Sequence, residues 1–184
     1  MTRRLVLVAS LLVACNGAGT DKGSTDTNLP DSFDGTYQVS FHGESEACER
    51  YDELEVPFYK RAQITASDLH RVLGDHPLGR FEDLDRLTLF ADNLVPHVLR
   101  CHGVLDYAPA LAARIDAEAL LEVGSQEEVE IRAVAVEAVE RLVAGLAARG
   151  HATTAHALDG LLWNAGQAPE IKARPRHRAR CSFY

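Results

Sequence analysis

From Pro57 to the C-terminus, apolar positions recur mainly at helical spacing, and no convincing strand interrupts them. Residues 62–73 read as an amphipathic helix closed by Gly74, and the apolar run 84–90 reads as a shorter one. Pro96 falls in the first turn of a further helix that stops near Gly103, and Pro109 opens another that runs to Ile115. The longest element carries the clearest start signal. Ser125 and Glu128 have capping-box spacing, in which the serine hydroxyl takes a free amide and the glutamate reaches back. Val129, Val136, Val139, Val143 and Leu146 then follow at three- and four-residue steps or their sums, until Gly150. Glu130 and Arg132 read as out of phase with that stripe and are expected on a solvated face. Thr153 or Thr154 caps a last helix to Trp163, and no internal repeat is visible. The pattern predicts an all-α domain of roughly six short helices.

Upstream the pattern changes twice. Residues 35–42 alternate enough for one short strand, whereas 16–34 are rich in Gly, Ser and Thr and too poor in apolar residues to offset ordering entropy. Ahead of that tether, Arg3 and Arg4 precede an apolar run over 5–13. At about 1.5 Å per helical residue, such a run falls far short of a bilayer core of roughly 30 Å, so it reads as a secretory leader. Leu12-Val13-Ala14-Cys15 resembles a bacterial lipoprotein box, in which Cys15 would receive the lipid. The expected organisation is a lipoprotein signal over 1–15, a flexible tether over 16–47 and a helical domain over 48–184. The expected location is the bacterial cell envelope, lipid-anchored at a membrane surface; a misassigned start would make the protein cytoplasmic instead.

Composition adds limits. The 184 residues are 46% hydrophobic, 25% charged and 7% aromatic, which is ordinary globular usage for one domain. Nineteen Lys and Arg stand against 27 Asp and Glu, for a formal net charge of −8, and loss of Arg3 and Arg4 would make it −10. That balance excludes a charge-driven nucleic-acid binder. Lys172, Arg174, Arg176, Arg178 and Arg180 nonetheless concentrate positive charge at the C-terminal end, where it suits a small anionic ligand. Cys48, Cys101 and Cys181 form no C-x-x-C, and neither His97/His102 nor His151/His156 follows H-E-x-x-H, so neither metal nor cofactor is expected.

Three polar groupings interrupt the apolar pattern. Lys60 and Arg61, just before Gln63, sit at a helix start, where cations oppose the macrodipole; they serve either a ligand or a solvated turn. Asp92 lies between two apolar runs, where it is either a desolvated functional carboxylate or the N-cap of the next helix. Asp159 and Trp163, with the tail residues His177, Arg178 and Arg180, offer an aromatic plane beside a carboxylate and cations. That set suits a flat heterocycle and equally an ordinary core.

Together these residues resemble the queuosine salvage family of N-glycosylase/hydrolases. The resemblance rests on Phe58-Tyr-Lys-Arg-Ala-Gln63, Leu89-Phe-Ala-Asp92 with Val95-Pro96, Gly103-Val-Leu-Asp-Tyr107, Glu128 with Glu130-Ile-Arg132, Asp159 with Leu162-Trp163, and His177-Arg-Ala-Arg180 with Phe183-Tyr184. It implies a fold like the helix-hairpin-helix DNA glycosylases, and metal-free cleavage of the bond between ribose and the 7-deazaguanine base queuine. Lys60 and Asp92 match the family's catalytic lysine and aspartate, and Lys60 would either hold Asp92 ionised or contact the sugar and phosphate. Phe58, Arg61, Glu130, Arg132, Asp159 and Trp163 would bind substrate, with His177, Arg178 or Arg180 on its phosphate. The substrate would be a nucleoside or nucleotide, queuosine or its 5′-phosphate.

Two departures accompany the resemblance. Asn93, Leu94 and His97 stand where the family usually has Tyr, Arg and Gln, and a signal and tether stand where its members carry a helical N-terminal half. The pocket would then be open, completed by a separate chain that supplies that half, or defunct. The alternatives are a non-catalytic nucleoside- or base-binding lipoprotein and a degenerate interaction domain.

Overall fold

A computed structural model describes residues 49–51 and 54–181. The expected signal with Cys15, the tether and the strand at 35–42 lie outside them. The described chain starts with an antiparallel hairpin that the sequence did not announce: β1 (Glu49–Tyr51) pairs with β2 (Leu54–Val56) in the register Glu49–Val56 and Tyr51–Leu54. Everything after it is helical or loop, in agreement with the all-α expectation. The helices are α1 (Lys60–Leu73), α2 (Leu94–Cys101), α3 (Pro109–Asp116), α4 (Gln126–Ala147), α5 (Ala155–Ala165) and the short α6 (Pro169–Lys172). None of the described helices is long and apolar enough to cross a membrane.

Local signals set several helix ends. Ser125 Oγ accepts from the Glu128 amide at 3.4 Å and starts α4, but the Glu128 carboxylate reaches past Ser125 to the Gly124 amide. Thr154 Oγ1 accepts from the Ala157 amide and starts α5. Gly74, with φ of 53°, ends α1 in a conformation open to glycine at little cost.

Helices α2, α4 and α5 pack on one another around Leu89, Val95, Leu99, Leu105, Ala135, Val139 and Ala155. Each large apolar side chain fully buried there is worth about 1.5–3 kcal/mol. A smaller cluster, Ile115, Leu121 and Ile131, joins α3 to the start of α4. The C-terminal segment straps across it: the Leu121 amide donates to the Arg178 carbonyl at 2.8 Å, in a parallel bridge between Leu121 and Ala179. Gly166 closes α5 against α2, where a Cβ would stand 2.8 Å from Leu94 Cγ.

The stretch 84–90 departs from its helical expectation. Only Leu84–Arg86 turns, as a 3₁₀ helix, and the chain then runs on without regular structure. Leu87, Leu89 and Ala91 are buried while Thr88 and Phe90 are less so. That alternation has a period of two, and the apolar density of the run concealed it.

Candidate active site

The segment 88–92 has no ladder or helix of its own, so its backbone groups take partners from side chains on three helices. On α1, Gln63 is buried; its Oε1 accepts from the Thr88 amide at 2.8 Å, and its Nε2 donates to Thr88 Oγ1 and to the Phe58 carbonyl. On α5, Asp159 Oδ1 accepts from the Phe90 amide at 3.1 Å. On α4, Arg132 Nε donates to the Ala91 carbonyl at 3.1 Å. The segment then delivers Asp92 to the start of α2, where its Oδ1 accepts from the amides of Leu94 at 2.8 Å and Val95 at 3.0 Å. Asp92 is therefore a helix cap, as the simpler of its two readings required. It is also a buried carboxylate at a helix N-terminus, a place that suits negative charge.

Lys60 comes from the start of α1. Tyr59, before the first residue of α1, adopts φ 47° and ψ 33°, a left-handed conformation that costs a non-glycine residue about 1–3 kcal/mol. The hairpin thereby turns directly into α1, whose first residue is Lys60. Burial lowers the Lys60 ammonium below the ordinary lysine range and Arg132 adds to that, while Asp92, Asp159 and Cys181 pull it back up. Asp159 is pushed up to about 7 by burial, with the nearby Asp92 adding to the shift and the Phe90 amide and Lys60 opposing it. Lys60, Asp92, Asp159 and Arg132 thus form one electrostatic cluster, drawn from α1, the start of α2, α5 and α4.

Arg132 corrects the solvated-face expectation. It is 2% exposed, pairs with the buried Glu128 at 3.2 Å and lies 4.0 Å from the centre of the Phe58 ring. It stands three residues after Val129 and four before Val136, so it lies on the apolar stripe and not on the solvated face. Its neighbour Glu130 does face solvent. Trp163 stands one turn after Asp159 on α5 and is 46% exposed, an aromatic surface at the rim beside a buried carboxylate.

The tail residues divide. His177 is fully buried, and burial together with Arg132, His97 and Arg176 brings it down to about 3. Its buried ring lies within the electrostatic reach of Arg132. Arg178 is exposed and reaches the Glu118 carbonyl at 3.3 Å, and Arg61 and Arg180 are also exposed. The cluster accordingly gathers Phe58, Lys60, Asp92, Arg132 and Asp159, with Trp163 alongside. It does not gather Glu130, Arg61, Arg178 or Arg180. Sequence reasoning passed over Gln63 and Glu128 as site-building residues, although both lay inside the motifs. Both are polar and buried: Gln63 reaches Thr88 and Phe58, and Glu128 pairs with Arg132 one turn along α4.

A sequence model described as queuosine salvage protein matches residues 40–184. The chain belongs to that family. It is 49% identical over 134 residues to the queuosine 5′-phosphate N-glycosylase/hydrolase of Sphaerobacter thermophilus, and 40% identical over 135 residues to that of Dictyostelium discoideum. The protein of that name from Bos taurus is 33% identical over 145 residues. Each match covers 73% of this chain and 42% of the relative, so the chain spans about two-fifths of the length of these curated relatives.

Membership in the queuosine salvage family gives the two buried departures near Asp92 a structural reading. Leu94 is buried against Gly166, and His97 is buried with its Nε2 2.9 Å from the Ile171 carbonyl. Both side chains serve helix packing.

Proposed function

We propose that this chain carries the catalytic cluster of a hydrolase that cleaves the N-glycosidic bond of queuosine 5′-phosphate or queuosine and releases queuine. The supporting observation is the convergence of Lys60, Asp92 and Asp159 around one backbone segment pinned from three helices. Breaking the C–N bond leaves an oxocarbenium-like sugar, and a fixed carboxylate below the anomeric carbon stabilises that charge and orients the incoming water. The oxygen of water bonds to the sugar carbon, the departing nitrogen leaves with the electron pair of the C–N bond, and the proton that water gives up ends on that nitrogen. In a 7-deazapurine a carbon replaces N7, so protonation there cannot assist departure, and electrostatics and positioning carry more of the burden. Asp92 is the carboxylate in this reading and Lys60 its cationic partner. Asp159, which near neutrality presents either a donor or an acceptor, and Trp163 receive the base. The exposed arginines of the C-terminal segment are candidates for the phosphate.

The proposal includes a separate chain that completes the pocket. It also retains the cell envelope as the location, with Cys15 as the lipid-bearing residue. Loss of labelled fatty acid in Cys15→Ser would support the anchor, and equal labelling of both forms would refute it.

Asp92→Asn tests the chemistry cleanly, since an asparagine oxygen still accepts from the Leu94 and Val95 amides and keeps the cap. The expected result is queuine release from the full chain, alone or with its second chain, and a loss of at least about 10²-fold in Asp92→Asn at unchanged melting temperature. Tight binding of queuosine without release, measured by calorimetry, would replace this proposal with the binding-lipoprotein reading. Neither binding nor release would reject both.

A further inference from the structure

The one buried residue of α1 is polar: Gln63 is 1% exposed, whereas its apolar neighbours Ala62 and Ile64 remain half-buried. An amide taken out of water costs free energy unless both of its ends find partners. Here both do. Oε1 accepts from the Thr88 amide at 2.8 Å, and Nε2 donates to the Phe58 carbonyl at 2.9 Å and to Thr88 Oγ1 at 3.0 Å. The two backbone partners fix which end of the side chain is which, since the Thr88 amide only donates and the Phe58 carbonyl only accepts. The backbone amide of Gln63 also donates to the Tyr59 carbonyl at 2.9 Å. One residue thereby holds the left-handed Tyr59 from both of its flanks, which is how a strained conformation persists.

These partners stand at the roots of the reacting pair. Phe58 lies two residues before Lys60, and Thr88 lies four before Asp92. A second bridge closes the circuit: the Arg132 guanidinium lies 4.0 Å from the centre of the Phe58 ring, and its Nε donates to the Ala91 carbonyl beside Asp92. One side-chain amide thus joins the segment that bears the ammonium to the segment that bears the carboxylate. Packing alone does not require it, because methionine has a similar length and buries without desolvating an amide. We infer that Gln63 is a positioning residue, which sets Lys60 relative to Asp92 and acts on the reaction through them. The inference rests on the glycosidase reading and adds to it a residue that need not touch substrate.

Queuine release by the full chain, alone or with its second chain, tests this in two variants, with kcat counted per folded molecule from circular dichroism at the assay temperature. Gln63→Met removes every side-chain hydrogen bond and should lower kcat about 10²-fold with KM within about threefold, the loss expected of a misplacement near 1 Å. Gln63→Glu is the sharper case. Its carboxylate still accepts from the Thr88 amide but has nothing to donate to the Phe58 carbonyl, whereas the carboxylic acid does both. Burial favours the acid, so kcat relative to the parent should be lowest near about pH 8.5 and recover at least about tenfold by about pH 5.5. The ratio removes the titrations of Lys60, Asp92 and Asp159 that both proteins share, and Gln63→Met should show no such recovery. A residue that only holds the fold together would move the melting temperature and leave kcat per folded molecule alone. Gln63→Glu carries the test if Gln63→Met does not fold. Parent-like kcat in Gln63→Met, or a deficit in Gln63→Glu that stays constant with pH, would overturn the inference. No release from the parent at any pH would instead reject the glycosidase reading, and this role with it.

Discussion

Helix α4 carries the same ion pair twice. Glu128 and Arg132, then Glu137 and Arg141, have the same residues, order and four-residue spacing, with donor–acceptor distances of 3.2 Å and 2.8 Å. Their side chains are 2% and 0% exposed for Arg132 and Glu128 but 79% and 61% for Arg141 and Glu137. The first pair was removed from water, so each charge depends on the other and on the Ala91 carbonyl and Phe58 ring. The second remains solvated and screened, and its mutual attraction contributes little. Local spacing therefore says that a pair can form; the environment decides what it is worth. At the N-terminal end of α4 the pair is part of the site, and toward the C-terminal end it stands in solvent.

The contrast is sharpest under deletion. Arg132→Ala should lower unfolding free energy by about 3–5 kcal/mol, because it strands the buried Glu128 and releases the Ala91 carbonyl. Urea denaturation measures this, and a loss below about 1 kcal/mol would mean that Glu128 finds water or another partner in its place.

A middle-sized effect comes from pH. Asp159 rises from 3.8 to about 7 on folding, so the native state holds its proton more tightly than the unfolded chain. Its contribution to stability is complete below about 4 and is lost as pH climbs to about 7. His177 falls from 6.5 to about 3, so its contribution is present above about 6.5 and is lost as pH drops toward 3. The two slopes oppose one another between about 4 and 6.5. Asp159→Asn should raise the melting temperature by several degrees at pH 7.5 and much less at pH 4, leaving the chain more acid-sensitive in relative terms. Equal shifts at both values would show that Asp159 does not carry the proton.

The smallest effect belongs to the exposed pair. Arg141→Ala should change stability by no more than about 0.5 kcal/mol in thermal melts, the usual worth of an exposed helical pair. A larger loss would erase the contrast between the two ends of α4.

What could be read from letters follows the range of the interactions. Helix positions and the caps at Ser125 and Thr154 were legible because they depend on residues three or four apart. The motif residues Lys60, Asp92 and Asp159 were legible through the family pattern, and Asp92 as a cap through its place before α2. The extended course of 87–92 was not legible, since its partners Gln63, Arg132 and Asp159 lie 25, 41 and 69 residues away. The burial of Arg132 and His177 also came only with packing, because a charged or titratable letter carries no record of what will surround it. The sequence alone determined the helices, their ends and the chemical groups available. The tertiary structure decided which groups share one desolvated space, because removal from water is a property of packed neighbours and not of local order.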